Sequence, residues 1–138
     1  LLDADNFKSY NDCYGHQAGD EVLQEITRSL VDSIRNADSL YRYGGEELLL
    51  LLPETDLEGA RTVSNRAREA VAGLRLPHRG SERGIVTISV GVAESRNEDE
   101  DDECGWELVI QHADRALYLA KSDGRNCVRA LTGEGVAV

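Results

Sequence analysis

The segment from Tyr41 to Leu52, Tyr-Arg-Tyr-Gly-Gly-Glu-Glu followed by five leucines, constrains this chain more than any other. A strand-like run, two adjacent glycines, two acids and an unbroken apolar run predict a β-hairpin. Its strands fall at 39–43 and 48–52, with Gly44, Gly45, Glu46 and Glu47 at the tip. Leucines without alternation imply a strand covered on both faces. The tip presents two carboxylates on backbone without side-chain bulk, which suits hard oxygen ligation of a cation and close approach of a phosphate. Local turn chemistry alone also permits a plain acidic surface hairpin.

Around this hairpin the pattern alternates. Leu1-Leu2 reads as a strand end that delivers Asp3, and 5–12 as a short helical turn closed by Gly15. Val22, Leu23, Ile26, Leu30, Val31 and Ile34 recur at helical spacing and predict a helix over 20–35. Thr55 and Glu58 form a capping box for a second helix, with Leu57, Ala60, Val63, Ala67, Ala70, Val71 and Leu74 on one face and Gly73 as terminator. Strands are expected at 74–76 and 85–92. A third helix carries Trp106, Val109, Ile110, Ala113, Ala116, Leu117 and Ala120 and stops near Gly124, before a last strand at 127–131. The fold class expected is α/β (α+β): three main helices flanking a mostly antiparallel sheet of about five strands, of ferredoxin-like type.

At 138 residues the chain suits one domain with one core. No apolar run approaches the ~20 residues of a membrane span, so no membrane contact is expected. A net charge of −11 argues against a nucleic-acid polymer as partner. Much of the excess lies at 98–103, Glu-Asp-Glu-Asp-Asp-Glu, read as a solvated loop. Cys13, Cys104 and Cys127 are odd in number and widely spaced, which fits a reducing, cytoplasmic setting. His16, His78 and His112 are scattered and suggest no zinc site. The sequence has no methionine, so it is expected to begin inside a longer chain. Of its fifteen cationic side chains only Lys8 and Lys121 are lysines.

Asp3 to Asp20 reads Asp-Ala-Asp-Asn-Phe-Lys-Ser-Tyr-Asn-Asp-Cys-Tyr-Gly-His-Gln-Ala-Gly-Asp. It is similar to the pattern D-x-D-x-F-K-x-x-N-D-x-x-G-H-x-x-G-D of the GGDEF family, the diguanylate cyclases. Asp3, Asp5, Phe7, Lys8, Asn11, Asp12, Gly15, His16, Gly19 and Asp20 match in register. The hairpin resembles that family's signature in its GGEE form. Ala116 to Asn126 resembles its closing A-L-Y-x-A-K-x-x-G-R-N. The three blocks span nearly the whole chain. The fold implied is of the polymerase-palm kind, and the domain implied is a single GGDEF catalytic domain over 1–138, truncated at its N-terminus.

The resemblance also implies roles. Asp3 and Glu46, with the backbone carbonyl of Ala4, would hold Mg²⁺ (or Mn²⁺) on a triphosphate. Glu47 would serve metal or general-base work. Lys8, Lys121 and Arg125 would take the β- and γ-phosphates, although a lysine at the position of Lys121 also suits a helix C-terminus. Phe7, Gly44 and Gly45 would line the substrate. Asn11 and Asp20 would read guanine, whose N1–H and N2–H₂ a carboxylate can accept together. Asp20 on its own residues could equally be a helix N-cap. Arg35 and Asp38 are similar to the family's R-x-x-D inhibitory product site, with Arg66 reaching the same ligand; a helix-end ion pair is the alternative.

The activity implied is condensation of two GTP into cyclic di-GMP and two pyrophosphates, in a homodimer because one domain holds one GTP. The location implied is cytoplasmic, with a membrane sensor upstream as one arrangement. A silent domain that binds GTP or cyclic di-GMP without turnover is the other function considered. Leu48 departs from the family's Phe after the acids but stays apolar. The family's upstream D-x-L-T-G-L-x-N-R segment does not occur in these residues.

Overall fold

The computed structural model describes residues 1–95 and 105–138. In chain order the elements are β1 Leu2–Ala4, α1 Phe7–Tyr14, α2 His16–Ser33, β2 Ser39–Arg42, β3 Glu47–Leu51, α3 Leu57–Gly73, β4 Ile88–Ala93, α4 Gly105–Ser122 and β5 Val128–Leu131. The sheet order is β2-β3-β1-β4-β5. The first four strands follow the order of a split βαββαβ unit and pair antiparallel. β5 pairs parallel to β4, because α4 carries the chain back across the sheet between them. The mostly antiparallel, ferredoxin-like expectation is met, with one parallel pair at the edge.

Two apolar layers hold the sheet. Ile88, Val90 and Val92 alternate along β4 and pack with Leu2 of β1, Ile26 and Leu30 of α2, and Ala67 and Val71 of α3. Leu1 and Leu49, on the other face, pack with Ala113 and Leu117 of α4. The leucine run is therefore shared: Leu48, Leu50 and Leu52 face the first layer and Leu49 the second. Its cover is incomplete, since Leu51 is exposed.

Several local expectations are corrected. α2 begins at His16, not Asp20, because its first turn packs on α1 through Gly19 rather than through an apolar side chain. The cap of α3 is Asp56, whose side chain accepts from Gly59 N at 2.8 Å, and Thr55 instead donates to Pro53 O. Asp56, one residue nearer the helix, takes the capping position. No strand forms at 74–76: Leu74 closes α3, Arg75 has φ 50°, and a lone bridge joins Pro77 to Ile85. Trp106 is 66 % exposed at the first turn of α4 rather than in the core. The acidic stretch at 98–103 and Cys104 lie outside the described residues. Among the described residues no helix is long and apolar enough to cross a membrane.

Candidate active site

The site grows from the register of β1. Antiparallel pairing sets Asp3 directly opposite Glu47 on β3 and opposite Ser89 on β4. The hairpin turn then brings Glu46 beside the same strand end. Lys121, in the last turn of α4, donates from Nζ to Asp3 Oδ2. Four charged groups from three distant parts of the sequence thus meet at one end of the sheet.

Their electrostatics are unbalanced. Asp3 is 4 % exposed, and burial pushes its carboxyl up to about 6. The hydrogen bond and charge of Lys121 pull it down, and Glu46 and Glu47 push it up again. Three carboxylates share one ammonium, so the cluster has room for a further cation. Among the described residues, no three acids or other ligating side chains form a ready metal cage. Magnesium does not require one: it is held by one or two carboxylates, with phosphate oxygens and water completing an octahedron. Asp3, the Ala4 carbonyl and Glu46 fit that pattern; Glu47 stands next to them.

The hairpin tip is held by its own strand. Tyr43 N and Gly44 N donate to Glu47 O at 2.9 and 3.2 Å. Arg42 Nε donates to Gly44 O at 3.2 Å and its Nη2 to Gly45 O at 2.7 Å. Neither tip glycine has a positive φ, so the glycines are not there for a left-handed turn. A Cβ at Gly44 would stand 3.0 Å from Glu47 Oε2, so the bare backbone leaves room for that carboxylate. Gly45 faces open space.

Between α2 and the hairpin runs a polar-rimmed groove of ≈ 570 Å³, lined by Asp20, Leu23 and Thr27 on one side and Leu40, Arg42 and Glu46 on the other. Asp20 lies in the second turn of α2 and is exposed; the helix is capped by Gly15, which removes the N-cap reading of Asp20. Asn11 of α1 tucks against Gly19, where a Cβ would meet Asn11 Oδ1 at 1.8 Å and Phe7 Cζ at 3.3 Å. That Oδ1 is buried and has no hydrogen-bond partner among the described residues. An orphaned buried acceptor is costly and marks a place where a ligand donor belongs. Lys8 is exposed on α1, and Arg125 is exposed just beyond α4 at φ 62°.

A second cluster lies at the other end of β2. Arg35 Nη2 donates to Asp38 Oδ1 at 3.0 Å and to Thr55 Oγ1 at 2.8 Å, and Arg35 N donates to Asp38 Oδ2 at 2.9 Å. Burial opposes ionisation of Asp38, but Arg35, and more weakly Arg66, outweigh it and hold the carboxyl below the ordinary range. Arg66 Nη2 donates to Ser33 O at 2.6 Å at the end of α2. Arg35, Asp38 and Arg66 are therefore neighbours.

The matches with known proteins follow this geometry. The family model described as diguanylate cyclase, GGDEF domain, matches residues 1–127. This chain belongs to the GGDEF family. The diguanylate cyclase DgcM of Escherichia coli K12 is 42 % identical over 130 residues, covering 94 % of this chain and 30 % of that protein. The chain thus spans about a third of the length of the curated relatives it matches. Among solved structures, the GGDEF domain of DgcB from Caulobacter crescentus, in complex with c-di-GMP, superposes with a TM-score of 0.80 at 31 % identity, covering 96 % of this chain and 75 % of that one. The active GGEEF domain of a diguanylate cyclase from Vibrio cholerae superposes with a TM-score of 0.78 at 30 % identity, covering 95 % and 78 %.

Sequence reasoning about this GGDEF domain missed three features. Arg42 clamps the hairpin tip; two residues before Gly44-Gly45, it could have been suspected of bonding the freed carbonyls. Gly19 was noted as a match without a task, because the need for an absent side chain shows only when two helices touch. Asp5 was likewise matched without a task, and its partners, Thr87, Ser89 and Asn126, lie 82 to 121 residues further along the chain.

Proposed function

We propose that residues 1–138 act as one GGDEF catalytic domain that condenses two GTP into cyclic di-GMP, releasing two pyrophosphates. The observation that carries this reading is the meeting of Asp3, Glu46, Glu47 and Lys121 at one sheet end, beside a groove rimmed by Asp20. Magnesium, when bound, would withdraw charge from the α-phosphate and favour ionisation of the attacking hydroxyl. Asp3, the Ala4 carbonyl and Glu46 would hold it, and Glu47 would serve as a further ligand or as the base that takes the 3′-hydroxyl proton. Lys8, Lys121 and Arg125 bind the β- and γ-phosphates, which moves Lys121 from Asp3 onto the triphosphate. Phe7, Gly44 and Gly45 face the nucleotide.

Asn11 and Asp20 read guanine. Adenine lacks the paired N1–H and N2–H₂ donors, so ATP would leave the acceptors unmatched, a mismatch that can be worth ~10⁴-fold. In each half-reaction the 3′-oxygen of one nucleotide forms a bond to the α-phosphorus of the other, the bond to the β-phosphate oxygen breaks, and pyrophosphate leaves. One domain carries one such site, so two domains must meet face to face as a homodimer. The Arg35, Asp38 and Arg66 cluster receives the product: arginine's planar fork suits phosphate and guanine edges, and Asp38 suits guanine donors. The setting is cytoplasmic.

The test is turnover by the purified domain with GTP and Mg²⁺. One cyclic di-GMP per two pyrophosphates, with specific activity that rises with enzyme concentration, is expected. GTP binding without product at any concentration would replace this reading with a silent binding domain. Specific activity independent of concentration in a demonstrably monomeric protein would contradict the two-domain mechanism.

A further inference from the structure

Asp5 lies two residues beyond Asp3, where β1 has ended, and it is 4 % exposed. Among the described residues its carboxylate meets three donors, none of them charged. Ser89 Oγ donates to Oδ1 at 2.6 Å, Thr87 Oγ1 to Oδ2 at 2.8 Å, and the backbone N of Asn126 to Oδ2 at 3.0 Å. Its own backbone N donates to Thr87 O at 2.9 Å. Thr87 and Ser89 are themselves buried beside or within β4. A buried carboxylate supplied only by neutral donors is an expensive way to stabilise a fold, and an apolar residue at this place would be cheaper.

What the carboxylate reaches is the turn after α4. Gly124, Arg125 and Asn126 have φ of 103°, 62° and 48°, three successive left-handed residues of which two carry side chains. Such a run persists only where its surroundings hold it. Among the described residues the holders are Arg125 N on Ala120 O of α4 at 3.1 Å, Asp5 on the Asn126 amide, Arg68 Nη1 of α3 on Asn126 Oδ1 at 3.1 Å, and Arg83 Nη2 on Gly124 O at 3.1 Å. Of these, only Asp5 comes from the segment that directly follows β1, two residues after Asp3. The end of β1 is therefore coupled to the backbone on which Arg125 is mounted through the Asp5 side chain, beside the contact of Lys121 with Asp3.

We infer that Asp5 is a positioning residue: it pins the Gly124–Asn126 turn to the end of β1 and so sets Arg125 at a fixed distance from Asp3. The inference rests on the phosphate role given to Arg125 above. In that role the pin would keep Arg125 in register with the Asp3 end of β1. Both carboxylate oxygens of Asp5 are taken up by Ser89, Thr87 and Asn126, so its role is positioning.

The test measures binding of α,β-methylene-GTP, which cannot release pyrophosphate, and of GMP, both with Mg²⁺. Asp5→Asn keeps the shape but turns one acceptor into a donor facing the hydroxyl or the amide. Roughly tenfold weaker binding of the triphosphate analogue is expected, with GMP affinity unchanged within about twofold. In an Arg125→Ala background, the further loss on Asp5→Asn should shrink below about twofold. Equal losses for both nucleotides, or an undiminished loss in the Arg125→Ala background, would overturn the inference and return Asp5 to a purely structural role. If Asp5→Asn does not fold, Ser89→Ala loosens the same carboxylate while keeping it. About threefold loss on the analogue alone supports the inference, and equal loss on both ligands refutes it. Wild-type protein that does not bind the analogue at all would sink the phosphate reading itself, which is a different result from normal binding insensitive to Asp5.

Discussion

Asp3 and Asp38 are both buried aspartates with a cation in contact, yet their carboxyls move in opposite directions. Asp38 accepts from the backbone and the side chain of Arg35, feels Arg66, and is held below the ordinary range. Its pairing therefore favours the folded state above about pH 4, and that support is lost as pH falls through its lowered value. Asp3 faces one ammonium and two further carboxylates and is raised to about 6. Ionised, it opposes folding at neutral pH, and protonation relieves the cost as pH falls from about 6 towards 4. One cluster is finished by its own residues; the other is finished only by adding positive charge. A site with unbalanced acids is where metal and phosphate chemistry belongs, and a balanced one is where a ligand must displace existing partners.

The contrast is broken most completely at the hairpin tip. Glu46→Gln keeps the size of the side chain and removes one of the three negative charges. Cyclic di-GMP formation should fall by about a thousandfold or more, because the lost ligand acts mainly on the charge that develops in the transition state. GTP binding should weaken far less, and the Asp3 carboxyl should titrate lower once a repelling neighbour is gone. Product formation at a wild-type rate would remove Glu46 from the chemistry.

The next effect belongs to a residue without a side chain. Gly19→Ala would drive a methyl to 1.8 Å from Asn11 Oδ1, so Asn11 must leave its place. GTP affinity should drop by an order of magnitude or more. Helix propensity acts in the other direction, since alanine inside α2 is worth roughly 1 kcal/mol over glycine. Weaker binding together with an unchanged or higher melting temperature would identify a binding defect. Unaltered GTP affinity would mean that Asn11 does not read the base.

How far each part was legible in the sequence follows from the range of the interactions. The hairpin, the three long amphipathic helices and β5 are encoded by patterns that repeat within a few residues, so periodicity finds them. The strand expected at 74–76 failed because Leu74 and Leu76 are apolar for another reason: one closes α3 and the other packs under the sheet. The capping residue of α3 was misjudged by one position, a choice made by geometry between Thr55 and Asp56. Asp3, Glu46, Glu47 and Lys121 were legible as motif members, but their meeting was not, since a register and a helix crossover separate them. Asp5 and Gly19 act through contacts that no local pattern contains.

A pH series sharpens the comparison with a gentler effect. In the metal-holding role proposed for Asp3, proton and metal would compete for it, so at subsaturating Mg²⁺ the metal-dependent binding of α,β-methylene-GTP should weaken as pH falls through about 6. The slope should approach tenfold per unit below that value. Product binding at the Arg35 cluster should stay flat across the same window, because Asp38 is already ionised there. A metal dependence flat from pH 7 to 5 would show that Asp3 is not the group that must ionise.

The smallest effect on turnover concerns the finished cluster. Arg35 is tied to Asp38 and Thr55 at the end of β2 away from the tip, and a strand of four residues at about 3.3 Å each separates it from the acids. Arg35→Ala should therefore leave the initial rate within about twofold. What it should remove is inhibition by accumulating cyclic di-GMP, because the guanidinium fork proposed to meet phosphate and base is gone. Loss of the ion pair should cost little stability, as the arginine end is half exposed and such pairs are worth about 0–1 kcal/mol. The progress curve tells the two clusters apart: wild-type turnover should slow well before GTP is consumed, and the variant should run on. Calorimetry that finds no cyclic di-GMP bound to the wild-type domain, or a variant that slows as the wild type does, would leave the Arg35–Asp38 pair as a structural contact only.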